Sequence, residues 1–169
     1  MRNRIEIRNM EERDVEFKAI VHYQTWKISY QGLINQKVLE DLDFNNCLRI
    51  SRNNIKETIV AICDDKVVGF GSYGKNRLDS TEKSGEIIAM YVLPGYQRRG
   101  VGLALMKECL RRLKNYDKVY LWVLSNNFDS IKFYEYCGFK IDNVSVNKKI
   151  AGLDYSIDRM LYQKNNNGL

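Results

Sequence analysis

The sequence is poor in the residues that build metal centres and disulfide frameworks. Its 169 residues include one histidine and four scattered cysteines, none of which forms a Cys-x-x-Cys pair. A zinc site needs clustered cysteine and histidine ligands, and disulfide frameworks belong mainly to small secreted chains. We therefore expect no metal, and we interpret the cysteines as small buried hydrophobic residues rather than nucleophiles. They are Cys47, Cys63, Cys109 and Cys137.

Long apolar runs are also missing. No segment approaches the roughly 18 apolar residues that a membrane-spanning helix needs. The N-terminus reads Met-Arg-Asn-Arg-Ile-Glu-Ile and lacks the apolar core of a signal peptide. We therefore expect a cytoplasmic protein without a membrane partner.

Blocks of like charge are absent as well. Lysine and arginine number 27, aspartate and glutamate number 21, and the formal net charge is +6. A mild positive field suits a polyanionic cofactor, and it also suits weak attraction to nucleic acid. Nucleic-acid-binding proteins usually concentrate positive charge in a stripe or motif, so nucleic acid is the minority interpretation here.

The chain has the length and composition of one globular domain. Apolar residues make up 44% and charged residues 28%, and no stretch has the composition of a linker. We assign residues 1–163 to one domain and residues 164–169 to a polar tail. Hydrophobic spacing predicts the order β-α-α-β-β-β-α-β-α-β-β, a mixed α/β or α+β sheet with helices on both faces. In this order residues 147–152 form a loop before the last strand.

Two glycines indicate a close contact inside a predicted hairpin. The two strands are β-branched runs separated by Asp-Asp-Lys, which predicts a tight turn. Gly69 and Gly71 occupy alternate positions of the second strand and therefore share one face. We expect another element to approach that face closely.

The most informative stretch runs from residue 86 to residue 113. Residues 87–93 are a β-branched and aromatic run typical of a buried strand, and a Pro-Gly pair ends it. After Gly100 apolar residues recur every four positions, which indicates an amphipathic helix. A loop joins the two elements.

This loop is suited to holding an anion. The first N–H groups of a helix have no partner within the helix and carry partial positive charge. Gly100 and Gly102 let an anion approach that backbone, and Arg98 and Arg99 add positive charge beside it. The plainer alternative is a basic turn before an ordinary surface helix.

Two common phosphate-binding motifs do not fit the loop. A Walker loop ends in Gly-Lys-Ser/Thr, and the sequence contains no such run. In a dinucleotide fingerprint, Leu105 would occupy the third glycine position, and the loop lies too far from its strand.

The loop instead resembles a known family. Residues 97–102, Gln-Arg-Arg-Gly-Val-Gly, look like the Gln/Arg-x-x-Gly-x-Gly/Ala loop of the GNAT superfamily of acetyl-CoA-dependent N-acetyltransferases. Residues 127–139 are similar to the family's Asn-x-x-Ala-x-x-x-Tyr-x-x-x-Gly-Phe run, with Ser130 in place of alanine. Residues 26–34 look like the Trp-x-x-x-Tyr-x-Gly-x-Ile/Leu segment of many bacterial members. The patterns and predicted strands follow the family's order over residues 4–163.

The resemblance implies a fold and a co-substrate. The fold is a GNAT-like mixed, mostly antiparallel central sheet of about seven strands with helices on both faces. The co-substrate is acetyl-CoA, because the family's glycine loop wraps the pyrophosphate of coenzyme A. The residues it assigns to coenzyme A are Met90, Tyr91, Val92, Gln97, Arg98, Arg99, Gly100, Val101, Gly102, Leu103, Ala104, Asn127, Ser130 and Tyr134.

The resemblance also assigns chemical roles. An amine attacks a thioester only when uncharged, whereas a lysine-like amine has a pKa of about 10.4 and is mostly protonated at neutral pH. A carboxylate can remove that proton directly or through water, and the family position is Glu86. Tyr134 stands where the family has a general acid for the departing thiolate. A backbone N–H within residues 90–92 is expected to stabilise the charge that develops on the thioester oxygen.

Plainer roles remain open for several of these residues. Glu86 is equally well read as a solvent-facing carboxylate at the start of a strand. Asn127 is either a ligand of the pantetheine or phosphate arm or a cap of its own helix. We predict that Trp26 and Tyr30 bind substrate together with Glu86, although such aromatics often pack in a core.

The predicted function is transfer of an acetyl group from acetyl-CoA to a primary amine of a small molecule or peptide, by direct attack in a ternary complex. The alternative is a GNAT-fold sensor or interaction module that binds acyl-CoA without catalysis, which Tyr134 disfavours. Family members are often dimers, so a homodimer is compatible with the sequence. The acceptor is open, but three acidic residues would tolerate a polyamine: Glu40, Asp41 and Asp43.

Overall fold

The computed structural model describes residues 4–77 and 83–164. Its helices are α1 (Val15–Ser29), α2 (Gln36–Glu40), α3 (Phe44–Asn53), α4 (Val101–Arg112) and α5 (Phe128–Tyr136). Its strands are β1 (Glu6–Asn9), β2 (Thr58–Cys63), β3 (Lys66–Lys75), β4 (Gly85–Val92), β5 (Lys118–Leu124), β6 (Lys140–Ile150) and β7 (Leu153–Gln163). The predicted order is confirmed, with the second predicted helix divided into α2 and α3.

The strands form one sheet in the order β1-β2-β3-β4-β5-β7-β6. Every neighbouring pair is antiparallel except β4 and β5, which run parallel. The helices α1 and α3 pack on one face of the sheet, and α4 packs on the other. The predicted class, a mostly antiparallel sheet with helices on both faces, is confirmed. None of the helices in residues 4–77 and 83–164 combines the length and the apolar composition of a membrane span.

The glycines of β3 let α4 lie directly on the sheet. A Cβ atom at Gly71 would lie 2.8 Å from the Sγ of Cys109, and one at Gly69 would lie 2.9 Å from the carbonyl oxygen of Tyr91. Both distances are shorter than van der Waals contact, so a larger side chain would force α4 or β4 away. The predicted close approach is confirmed, and α4 is the element that approaches.

The feature that positions the site is the divergence of β4 from β5. The two strands pair only from Gly85–Val119 to Ile87–Leu121, although β4 continues to Val92 and β5 to Leu124. Beyond Ile87 the side of β4 that faces β5 therefore lacks a strand partner. A gap opens in the middle of the sheet.

The predicted loop at residues 147–152 is wrong in its first part. The strand β6 continues to Ile150 and pairs with β7, for example Lys148 with Tyr155. The turn is Ala151-Gly152, and both residues have positive φ. β6 is an exposed edge strand, so its lysine-rich sequence lacks the apolar alternation that marks a half-buried strand. Of the predicted tail, residues 165–169 lie outside the described residues.

The single histidine lies on the sheet-facing side of α1. His22 stacks on Tyr91, with ring centroids 5.4 Å apart, and meets Trp26 and Phe70 edge-on. Its Nδ1 has no hydrogen-bond partner within residues 4–77 and 83–164. Burial, helped by the neighbouring charge of Lys18, lowers the pKa of His22 to about 4. The imidazole is therefore neutral in the folded protein near neutral pH.

Acidification should destabilise the protein through this histidine. Its folded pKa lies below the unfolded value, so its contribution to stability is complete above the unfolded pKa and is lost as pH falls toward about 4. We expect the free energy of unfolding to drop by about 2 kcal/mol between pH 7.5 and pH 5. Urea unfolding of wild type and His22→Phe at both pH values measures this. The variant should lose distinctly less, and an equal loss would contradict the assignment.

Candidate active site

A cavity of about 910 Å³ passes through the gap between β4 and β5. On one face it is lined by α1 and by the end of the β6–β7 hairpin, and on the other by α5. Ten of the predicted site residues line it: Trp26, Tyr30, Glu86, Met90, Tyr91, Val92, Gln97, Asn127, Ser130 and Tyr134. Residues from distant parts of the sequence thus meet at the gap.

The backbone of β4 offers hydrogen-bond donors to this gap. The N–H of Leu93 donates to the carbonyl of Val68 on β3, 2.8 Å away. Hydrogen-bonded and non-bonded residue pairs alternate along an antiparallel ladder. The backbone N–H of Tyr91, two residues before Leu93, therefore also points toward β3. The N–H groups of Met90 and Val92 therefore point toward the gap. Of the three backbone N–H groups predicted for this role, those of Met90 and Val92 point toward the gap, whereas that of Tyr91 points toward β3.

The glycine loop lies beside the end of β4. The Nε2 of Gln97 donates to the carbonyl of Val92 at 3.0 Å, which ties the loop to the strand. Gly100 has a φ of 87°, in the left-handed region that favours glycine, and begins α4 without a side-chain cap. Arg98 also has positive φ, and both it and Arg99 are exposed.

The first turn of α4 leaves its backbone donors unused by the helix. The first bond within the helix runs from the N–H of Ala104 to the carbonyl of Gly100, at 3.0 Å. The N–H groups of Val101, Gly102 and Leu103 precede it and have no partner inside α4. Together with the adjacent arginines, these are the groups that the sequence predicts to hold an anion. Gln97 lines the cavity, whereas residues 98–104 do not.

The helix α5 is fixed at both ends. Asn127 caps it, because its Oδ1 accepts from the N–H of Ser130 at 3.2 Å; the capping interpretation is thus correct, and Nδ2 is left for the cavity. At the other end, Gly138 has a φ of 96°, and the N–H of Phe139 donates to the carbonyl of Tyr134 at 3.0 Å. This is a Schellman ending. It anchors Tyr134 to Phe139, which is buried in the core.

The hydroxyl of Tyr134 is available for chemistry. Tyr134 lines the cavity and is half-buried. Its hydroxyl has no hydrogen-bond partner in the part of the chain described. Burial, followed by the neighbouring groups of Tyr91 and Cys137, raises the pKa of Tyr134 well above that of an ordinary tyrosine. The phenol stays protonated at neutral pH and is suited to donating a proton.

On the α1 side, two aromatic residues hold the side chain of Tyr91. The Nε1 of Trp26 donates to the hydroxyl of Tyr91 at 3.0 Å, and the hydroxyl of Tyr30 lies 3.3 Å from the same oxygen. Burial raises the pKa of both tyrosines, so both remain neutral. Trp26 and Tyr30 also pack against the small core of Ile34, Leu39, Leu124 and Ile157. They therefore serve the core and line the cavity at once.

Glu86 is buried, and the interpretation of it as a solvent-facing carboxylate is wrong. Glu86 is 4% exposed and lies on the side of the sheet that α1 covers. Arg77 contacts its carboxylate through the backbone N–H, Nε and Nη2, each at 3.2 Å. Sequence reasoning missed Arg77, because nothing in a polar loop shows which carboxylate a basic residue will reach.

The end of the β6–β7 hairpin was also missed as part of the site. Residues 146–151 line the cavity, including Lys148 and Lys149. The three acidic residues that favoured a polyamine do not line it: Glu40, Asp41 and Asp43. Asp41 pairs with Lys37, and Asp43 caps α3. In residues 4–77 and 83–164, no cluster of histidine, cysteine and acidic side chains could hold a metal ion.

Known proteins resemble this chain in sequence. An uncharacterized N-acetyltransferase of Bacillus subtilis, YuaI, is 27% identical over 135 residues, which cover 78% of each chain. The spermidine N(1)-acetyltransferase of Thermoplasma acidophilum is 24% identical over 150 residues, covering 82% of this chain and 90% of that protein.

A solved structure shares the fold. The PaiA N-acetyltransferase of Thermoplasma acidophilum, crystallised in complex with coenzyme A, superposes with a TM-score of 0.74. The match covers 95% of this chain and 99% of that one at 20% identity. The sequence model of the acetyltransferase (GNAT) family matches residues 21–139. The chain therefore belongs to the acetyltransferase (GNAT) family and is an acyltransferase that uses acetyl-CoA.

Proposed function

We propose that the protein transfers an acetyl group from acetyl-CoA to a primary amine of a small molecule or peptide, by direct attack in a ternary complex. The observation that carries this proposal is the gap between β4 and β5, with Glu86 on the side of α1 and Tyr134 on the side of α5. A donor and an acceptor can enter such a gap from opposite faces. The relative named a spermidine acetyltransferase acts on an amine, which supports the reaction type.

Coenzyme A would lie along one side of the gap. Its pyrophosphate would bind the N–H groups of the loop at Gly100 and the first turn of α4, with Arg98 and Arg99 beside it. Its pantetheine amides would meet the N–H groups of Met90 and Val92, as an added strand does. Asn127 and Ser130 line the opposite wall.

The side chains then divide the proton transfers. Glu86, directly or through a water, would accept the proton from the acceptor ammonium and leave an uncharged nucleophile. The N–H of Met90 or Val92 would donate to the thioester oxygen as charge develops on it. As the new C–N bond forms and the C–S bond breaks, Tyr134, which stays protonated, would donate to the departing thiolate. The nitrogen would give up its second proton through water, and that proton would restore the phenol of Tyr134. Acid and base thus lie on opposite faces of the sheet.

Gly100→Glu should abolish tight binding of acetyl-CoA. Gly100 has positive φ and stands where the pyrophosphate must approach, so a carboxylate there brings both strain and repulsion. We expect the dissociation constant, measured by isothermal calorimetry, to rise at least about tenfold. Gly32→Glu is the matched control, because Gly32 also has positive φ, an added Cβ there meets nothing within 4 Å, and Gly32 does not line the cavity. Unchanged binding in the Gly100 variant would remove the loop from the site.

Glu86→Gln should impair catalysis most at low pH. Without a base, the reaction depends on the small uncharged fraction of the amine, which rises tenfold per pH unit below the amine pKa. We expect kcat/KM to fall about 100-fold at pH 7 and the deficit to shrink toward pH 9. Glu57→Gln, an exposed carboxylate before β2, is the control. A deficit that is the same at every pH would argue against a base.

Tyr134→Phe tests the general acid and the sensor alternative together. We expect kcat to fall at least about 100-fold while the dissociation constant of acetyl-CoA changes little, because the ring and its packing remain. Tyr136→Phe, two residues further on and exposed, should behave as wild type. A thiol-release assay gives kcat, and isothermal calorimetry gives the dissociation constant of acetyl-CoA. Binding of acetyl-CoA by the wild type without turnover on any amine would favour the sensor.

A further inference from the structure

The acceptor side of the cavity is more positive than negative. Among the described residues that line the cavity, the only carboxylate is Glu86, and the cations on this side are Arg77 and Lys148; Lys149 also lines the cavity but projects from the other face of the hairpin. That carboxylate is already bound by Arg77 at Nε and Nη2, which leaves Nη1 of the guanidinium for another group. A polycationic acceptor would meet repulsion here rather than attraction.

Strand register places Lys148 at the mouth of the acceptor side. Lys148 lies opposite Tyr155 in the β6–β7 ladder, and Val146 lies opposite Ile157. Residues paired in this way project from the same face, and Ile157 packs on the α1 side of the sheet. The hydroxyl of Tyr155 accepts from the N–H of Asn35, which brings the hairpin against the loop between α1 and α2. Lys148 therefore faces the space that Trp26 and Tyr30 enclose.

The two hairpin lysines are not equivalent. Lys149 projects from the opposite face and lies 3.8 Å from the carboxylate of its cross-strand neighbour, Asp154. Lys148 has no carboxylate partner within residues 4–77 and 83–164. Lys148 is thus the cation on this side whose charge is not already balanced.

The remaining walls of the acceptor side are mainly apolar and aromatic, with Thr25 and Ser29 as polar members. Trp26, Tyr30 and Trp122 line it, together with Ile34, Leu124 and Ile157. These side chains can bury a branched hydrocarbon or an aromatic ring, whereas the methylene chains of a polyamine are short and lie between charges.

We propose that the acceptor is a small amine that carries both a carboxylate and an apolar side chain, as an α-amino acid does. This inference rests on the proposed function, since it names the amine that the gap receives. Lys148, with Nη1 of Arg77, binds the carboxylate. The aromatic walls bind the side chain, and the amine faces Glu86.

Matched acceptors that differ only in the carboxylate test the inference. The pairs are L-phenylalanine with 2-phenylethylamine and L-leucine with 3-methylbutylamine, and spermidine represents polyamines. Thiol release gives kcat/KM, corrected for the uncharged fraction of each amine. A thermal-shift assay in the presence of coenzyme A, which carries no acetyl group, measures binding of the acceptor without turnover. We expect at least one amino acid to exceed its decarboxylated partner and spermidine by about fivefold or more.

Lysine variants test which side chain binds the carboxylate of the acceptor. Lys148→Gln should bring the ratio of kcat/KM for the preferred amino acid to kcat/KM for its decarboxylated partner close to one. Lys140→Gln should leave this ratio unchanged, because Lys140 is an exposed lysine of the same strand outside the cavity. Preference for spermidine or for the decarboxylated amines would overturn the inference, as would a ratio that Lys148→Gln does not change.

Thermal shift separates this inference from the proposed function. If an amino acid stabilises the protein with coenzyme A, loses that effect in Lys148→Gln and is never acetylated, the acceptor site stands and the proposed catalysis fails. If other amines are acetylated but neither amino acid binds or reacts, the catalysis stands and the inference fails. If no acceptor of the panel binds or reacts, the inference is also overturned.

Discussion

The site depends on one parallel strand pair that separates before its strands end. β4 and β5 are joined through α4, a crossover that a parallel pair requires, and they pair only as far as Ile87 and Leu121. An interior strand with unpaired N–H groups is costly unless another group takes them. Met90 and Val92 carry those groups, and the pantetheine amides would satisfy them in the proposed complex. The open ladder is therefore suited to a cofactor arm that pairs as a strand does.

The helix α1 holds β4 in place beside this gap. Tyr91 alternates with Met90 and Val92 along β4, so its side chain projects toward α1, where Trp26 and Tyr30 hold its hydroxyl and His22 covers its ring. These contacts hold β4 against α1 and orient its free edge. The same aromatic residues also line the cavity, so in the proposed complex one set of side chains would both support the strand and contact the acceptor.

Much of the fold and part of the site could be predicted from the sequence, because the relevant patterns are local. The residues 97–102 and 127–139 encode a turn, two helix ends and their caps within a few positions. Arg77 beside Glu86 and Lys148 at the hairpin end could not be predicted, because their positions depend on register between distant segments. Lys18 is a further case: it is 2% exposed, with Nζ 4.5 Å from the ring centroid of Phe70, although lysine is rarely buried without a charged partner.

The lining of the cavity also bears on the order of events in the reaction. An acyl-enzyme route needs an activated nucleophile, and none of the described residues that line the cavity is cysteine or histidine. Burial raises the pKa of Cys109 to about 12 and that of Cys137 to about 11, so both stay as thiols. Ser130 lies in the lining, but His22, the single histidine, is held on the opposite face against Tyr91. A serine without a base is a poor nucleophile, whereas an amine relieved of its proton is a good one. The arrangement therefore favours direct attack by the acceptor while both substrates occupy the gap.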